Sequence, residues 1–402
     1  MVSSMSAPGW VRSVRGLYLV AMAVFIVTVV IGILNGLDLV EFNHDQILTH
    51  VHSGTVGWIS LSIVAAAAWL VRGVDSRLAI ALAVLVPIYV AAFYLGNPTL
   101  RAVSGGLLLV AILGLVVWAW QASAANGSLP ALAIALGLTT FTYGAVIGVL
   151  RQIQLANGPS LFPANADVVG SHASAMVFSY LILVAMALIE WRLRGTTDRP
   201  RGGLAQVLLL FAGGLIISMT LLFLSDDAAI QAAGGIYLLV ELIAVVIFAV
   251  RILPTAFRID WFAASAERHL ATAAAFVVVA TAIFLYVIFR VISDPSLAGS
   301  IEPVVGVLTA SDHAAFIGVI TNLTFGLLLV LTRDQGDRWP WAGQLVYWGV
   351  NVGLVVFLVG LIGDITIAKQ IGAPLMGVAI LLALATFGLR LWASDLRAAE
   401  EG

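Results

Sequence analysis

The chain has 402 residues, 61% of them hydrophobic and only 10% charged, with mean hydropathy +1.08 and net charge −2. That balance excludes a soluble globular domain, because apolar runs of about 20 residues are membrane spans. A near-neutral chain without a basic cluster offers nothing to nucleic acid, and the lack of any cysteine excludes disulfides, iron–sulfur clusters, thiolate metal sites and thioether-linked haem.

Twelve apolar segments follow one another: Leu17–Leu37, Val51–Val71, Leu78–Leu95, Ala102–Trp120, Pro130–Leu150, Val168–Trp191, Leu204–Leu224, Ile230–Val250, Leu270–Phe289, His313–Leu331, Trp341–Leu361 and Leu375–Trp392. The first is too long for a signal-peptide core and has no small-residue cleavage site, so it counts as a helix. No polar stretch is long enough for a second domain. The expectation is an all-α, polytopic membrane protein in which residues 1–402 form one twelve-helix domain.

Short loops rich in Arg and Lys stay cytoplasmic. With the N-terminus inside, 15 of the 19 basic residues, from Arg12 and Arg15 to Arg390 and Arg397, fall on the inner side. Only Arg101, Arg151, Arg290 and Lys369 fall outside. The asymmetry predicts a cell-membrane protein with both termini cytoplasmic. The second, sixth and tenth segments then run inward from the outer face.

Those three segments carry histidines where they begin: His50 and His52, His172, and His313. An imidazole marker on every fourth helix suggests three four-helix units. Gly57 follows His52 by five residues and Gly318 follows His313 by five, whereas Val177 stands at that offset from His172. Residues two apart on a helix are separated by roughly 200°. His50 and His52 therefore face opposite flanks and can each serve a different cofactor, but cannot jointly hold one metal. A ring of imidazoles on one side of a membrane suggests a shared ligand, with haem iron favoured over capping or headgroup contact.

The string HVHSGTVGW (His50–Trp58) resembles the His-x-His-Ser-Gly-x-x-Gly-Trp string of haem-copper oxidase catalytic subunits of the cbb type. Twelve helices with histidines on the second, sixth and tenth are also similar to that superfamily, which includes nitric oxide reductases. The resemblance covers the whole chain as topology and about a dozen residues as sequence. It implies three four-helix arcs. In the family's string the first histidine binds the high-spin haem and the second the low-spin haem, which would be His50 and His52. The family carries this string on its tenth helix, whereas here it lies on the second. Its copper site takes one histidine from helix 6 and two from helix 7; His172 matches the first, but segment 7 has none. The resemblance thus implies haem binding more strongly than oxygen reduction.

The resulting expectation is a haem-binding redox protein carrying out electron transfer or small-gas chemistry on oxygen or nitric oxide. A b-type haem would be held by His52 and His313, and a second haem or copper by His50 or His172. Arg101, Arg151, Arg290 and Lys369 are the candidates for pairing haem propionates. Asp312 reads either as an acceptor orienting His313 or as the cap of segment 10. Glu241, the carboxylate deep within an apolar span, reads as a proton relay or as a neutral acid bonded to a neighbouring helix. His44 is expected in solvent, His269 at the inner interface, and Asn322, Asn351 and Gln344 in interhelical hydrogen bonds. Membrane lipid surrounds the chain, with a quinone or a donor protein as electron source. The competing reading is a transporter or a metal or haem permease with a histidine-lined site.

Overall fold

The computed structural model describes residues 9–195, 199–224, 227–294, 302–336 and 338–396, so Arg397 lies outside the described residues. The chain is 85% helical, with no strand among the described residues, and twelve of its helices are long and apolar enough to cross a membrane. They are α1 (Gly9–Gly36), α2 (His44–Leu70), α3 (Ser76–Tyr94), α4 (Pro98–Asn126), α5 (Leu129–Asn157), α6 (Val168–Arg194), α7 (Arg201–Phe223), α8 (Asp227–Ala256), α9 (Ala266–Ser293), α10 (Val305–Leu331), α11 (Ala342–Ile362) and α12 (Thr366–Ala393). The protein is an all-α polytopic membrane protein.

α2, α6 and α10 are the most buried of the twelve and form the inner helices. α2 meets α10, and α10 meets α6. The other nine wrap around them, each packing on its sequence neighbours, and α12 returns to α1 to close the ring. Lipid-facing positions remain apolar, as at Ile80, Val110, Val250 and Trp392, where no interior would require it.

Two inner helices start earlier than hydropathy indicates. Residues His44–Thr49 and Val305–Asp312 are helical, so His50, His52 and His313 sit turns inside their helices rather than at the rim. A capping box explains the first case: Asn43 Oδ1 accepts from Gln46 N–H and Gln46 Oε1 accepts from Asn43 N–H, both at 3.0 Å. The polar residues of these opening turns lower the local hydropathy without breaking the helix. Asp312 is consequently an interior residue of α10 and not its cap.

Each inner helix also contains one widened, π-helical stretch: Ser53–Ser60 in α2, Val177–Ile182 in α6 and Ala314–Thr321 in α10. Such stretches loosen the regular ladder and are frequent at functional sites. In α2 and α10 a hydroxyl at the last position donates to the carbonyl five residues back, Ser60 to Thr55 and Thr321 to Phe316, both at 2.9 Å. The two stretches touch, and Trp58 Nε1 donates to Thr321 Oγ1 at 3.0 Å. In the string HVHSGTVGW, Trp58 is therefore a buried strut between α2 and α10, stacked on Phe25 at 4.6 Å.

Candidate functional site

A cavity of about 890 Å³ opens around α2. Its lining comes from α1, α2, α3, α4, α5, α6, α10, α11 and α12. His50, His52, His172 and His313 all line it.

Every one of these imidazoles is fixed through Nδ1. His50 bonds the carbonyl of Thr28 at 2.9 Å, and His172 that of Gly144 at 2.8 Å. His52 bonds the Leu48 carbonyl and His313 the Thr309 carbonyl, both at 2.8 Å, one turn back on their own helices. A carbonyl oxygen only accepts, so each Nδ1 carries the proton and donates it. Each Nε2 is then a bare lone pair, the form in which a histidine ligates a metal, with its ring orientation set by the second nitrogen.

His50 lies within electrostatic reach of His313, and His52 within reach of His172 and Arg101. These neighbours differ from the His52–His313 pairing expected from sequence. Two residues of helix set the two rings on different sides of α2: His50 bonds Thr28 of α1, whereas His52 packs on Phe93 and Tyr89 of α3. Around His52, Phe93 stacks on the ring at 3.8 Å and Tyr89 meets its edge at 5.9 Å. Phe357 meets His313 edge-on at 5.0 Å. A Cβ added at Gly32 would stand 3.1 Å from His50 Cε1, and one at Gly148 the same distance from His172 Cε1, so bare glycines make room for both rings.

Each imidazole offers Nε2 to a metal or a haem iron. Among the described residues, no set of three or more His, Asp or Glu side chains is close enough to hold a metal ion.

The four cations of the outer loops separate. Lys369 lines the cavity, with its ammonium 3.0 Å from Asp364 Oδ1. Arg101 is buried away from the cavity, paired with Asp45 and donating to the Phe93 carbonyl at 2.9 Å. It pins the start of α2 to the turn between α3 and α4 and is committed there. Arg151 and Arg290 do not line the cavity; Arg290 rests on Tyr286. Asp312 does line it, but His313 already donates to Thr309, so Asp312 does not orient that imidazole. Glu241 is buried beside Tyr237 and is not among the residues that line the cavity. His44 opens α2 as an exposed residue.

Sequence reading underrated His269. It is buried at 2% exposure, with Nδ1 3.0 Å from Asn322 Oδ1 and its ring against Phe325 and Tyr347. Asn322 continues to Asn351 at 2.9 Å and donates to the Ile317 and Gly318 carbonyls of the widened stretch in α10. Gln344 joins α11 to Arg268 of α9 at 2.7 Å. The sequence signal for this cluster was present in two asparagines within apolar spans, but nothing in it paired them with a histidine of α9.

No protein-family model matches the chain, and no curated protein matches it.

Proposed function

We propose that the chain is a haem-binding membrane redox protein, with His50 of α2 and His313 of α10 as facing axial ligands. The observation that carries this reading is the set of four imidazoles on one cavity, each with Nδ1 tied to a carbonyl and Nε2 left as a lone pair. A core histidine kept only for packing has no reason to repeat that geometry four times. A haem held between two imidazoles exchanges single electrons and has no coordination position open for a gas. The reading is therefore electron transfer, with small-gas chemistry disfavoured by the paired ligands. A quinol in the bilayer or a donor protein would supply the electrons.

The residues have separable tasks. Thr28 and Thr309 hold the two rings in orientation through their carbonyls. Gly32 leaves His50 its place, Phe357 limits the swing of His313, and the apolar walls exclude water. Lys369, at the cavity, is the cation placed to meet a propionate. The basic-residue asymmetry supports an extracytoplasmic position for this end of the bundle in a cell membrane.

The test is a pyridine haemochrome assay and a reduced-minus-oxidised spectrum on protein purified from haem-replete cells. A b-type alpha band is expected, with loss or conversion of its low-spin signature in His50→Ala and His313→Ala and none in His44→Ala. Protein that is folded, monodisperse and colourless would reject the reading.

A further inference from the structure

The two imidazole pairs share one construction. His50 and His172 each bond a carbonyl of the preceding helix, Thr28 on α1 and Gly144 on α5. Four residues further along those helices stand Gly32 and Gly148, each with its missing Cβ 3.1 Å from the ring. The opposite members, His313 and His52, each bond the carbonyl four residues back on their own helix. One imidazole of each kind makes up each pair.

This matching sets the register of an internal repeat. His172 is the counterpart of His50 rather than of His52, which explains why the glycine offset failed at Val177. Seven residues beyond His50 is Gly57, whose Cβ would meet Val24 of α1 at 2.3 Å. Seven beyond His172 is Ser179, whose carbonyl accepts from Thr140 of α5 at 2.9 Å. Val24 and Thr140 both lie four residues before the carbonyl that holds the ring. Ten residues beyond each histidine the widened stretch ends, at Ser60 and at Ile182.

The third unit obeys the same register with a serine in place of the first imidazole. Its position matching His50 is Ser311 of α10, whose hydroxyl donates to the Ala280 carbonyl of α9 at 3.2 Å. Seven residues on, Gly318 lies against Phe276, four residues before Ala280, and ten residues on, Thr321 ends the widened stretch. Where Gly32 and Gly148 leave space, this unit has Phe284, whose ring meets Tyr237 at 6.3 Å. Where His52 and His313 stand, α6 has Ser174. Among the described residues, none from α7, α8 or α9 lines the cavity.

We propose that the chain carries two equivalent bis-imidazole haem sites, His50–His313 between α2 and α10 and His52–His172 between α2 and α6. The gap between α6 and α10 is the third copy, with Phe284 at the position the two glycines hold in the others. This rests on the haem reading and extends it. His172 would then hold a second haem in place of copper, and each haem would supply one-electron transfer. α2 carries one ligand to each.

The test is haem per chain, from haemochrome absorbance against quantitative amino-acid analysis, together with the electron paramagnetic resonance of the oxidised protein. Two haems per chain, both low-spin, are expected. His52→Gly and His172→Gly each remove or convert to high-spin one of the two and leave the His50–His313 signal intact; His50→Gly and His313→Gly do the converse. Added imidazole restores the low-spin signal in each glycine variant, which separates a missing ligand from a misfolded chain. One haem per chain, indifferent to His52→Gly and His172→Gly, would overturn the second site and leave the haem reading standing. A second haem that is high-spin in the parent protein would overturn the equivalence. Protein without haem in any variant ends both.

Discussion

At the scale of the residue, the deciding contact is a hydrogen bond on the nitrogen that does not face the cavity. A carbonyl at Nδ1 sets tautomer and ring angle together, so on the haem proposal little ordering cost would remain on binding. The same scale separates Arg101 from Lys369, which sequence placed in one class. Arg101 is buried and holds Asp45 and two carbonyls, whereas the partner of Lys369, Asp364, is 93% exposed. Replacing Asp45 by Ala leaves the guanidinium buried with its carbonyls alone, at a cost of about 1–3 kcal/mol. We expect Asp45→Ala to lower the unfolding temperature in detergent while its haem content stays at the parent level. Lys369→Ala is expected to do the reverse, since an exposed pair contributes only about 0–1 kcal/mol. Equal loss of haem in both variants, measured by haemochrome at matched folded fraction, would return Arg101 to the propionates.

At the scale of the element, the widened stretches decide where the rings point. An extra residue in a turn rotates everything before it relative to everything after, and it leaves carbonyls short of donors. In α10 the Asn322 amide supplies those donors, and His269 and Asn351 hold the amide in place. Asn322→Leu strips four partners at once inside an apolar bundle. The expected destabilisation is about 1–3 kcal/mol, seen as a lower unfolding temperature and a shifted low-spin signal for the His313 site. Ser60→Ala removes one hydroxyl bond and should cost about 0.5–1.5 kcal/mol. An Asn322→Leu protein as stable as its parent, with an unchanged spectrum, would mean the stretch holds itself. The spans were readable because lipid demands about 20 apolar residues in a row. The opening turns of α2 and α10 were not, because His44, Asp45, Gln46, Thr309 and Asp312 read as loop although a cap and the helix ladder satisfy their backbone. The widened stretches left no trace in hydropathy at all, since a π-helical turn and an α-helical turn use the same apolar residues.

At the scale of the molecule, sequence showed that imidazoles recur on every fourth helix but not which ones correspond. Corresponding atoms had to be seen: the Thr28, Gly144 and Ala280 carbonyls, and Gly32, Gly148 and Phe284 four residues on. Neighbouring units then share α2, α6 and α10, and each gap takes one ring from each of two inner helices. The repeat makes a constructive prediction. If Phe284, Ser311 and Ser174 are what close the third gap, then Phe284→Gly, Ser311→His and Ser174→His together restore the features the other two gaps possess. Ser311 already reaches the Ala280 carbonyl, so an imidazole there finds its acceptor waiting. Removing the half-buried Phe284 ring takes away its contact with Tyr237, so the triple variant is expected to be less stable than its parent until tetrapyrrole is bound. Haem per chain should rise by one, and added haem should raise the unfolding temperature of the triple variant more than that of Phe284→Gly alone. A triple variant that stays folded yet binds no more haem than the parent would show that the outer helices α7, α8 and α9 close the gap by themselves, and the third unit would be a repeat in backbone only.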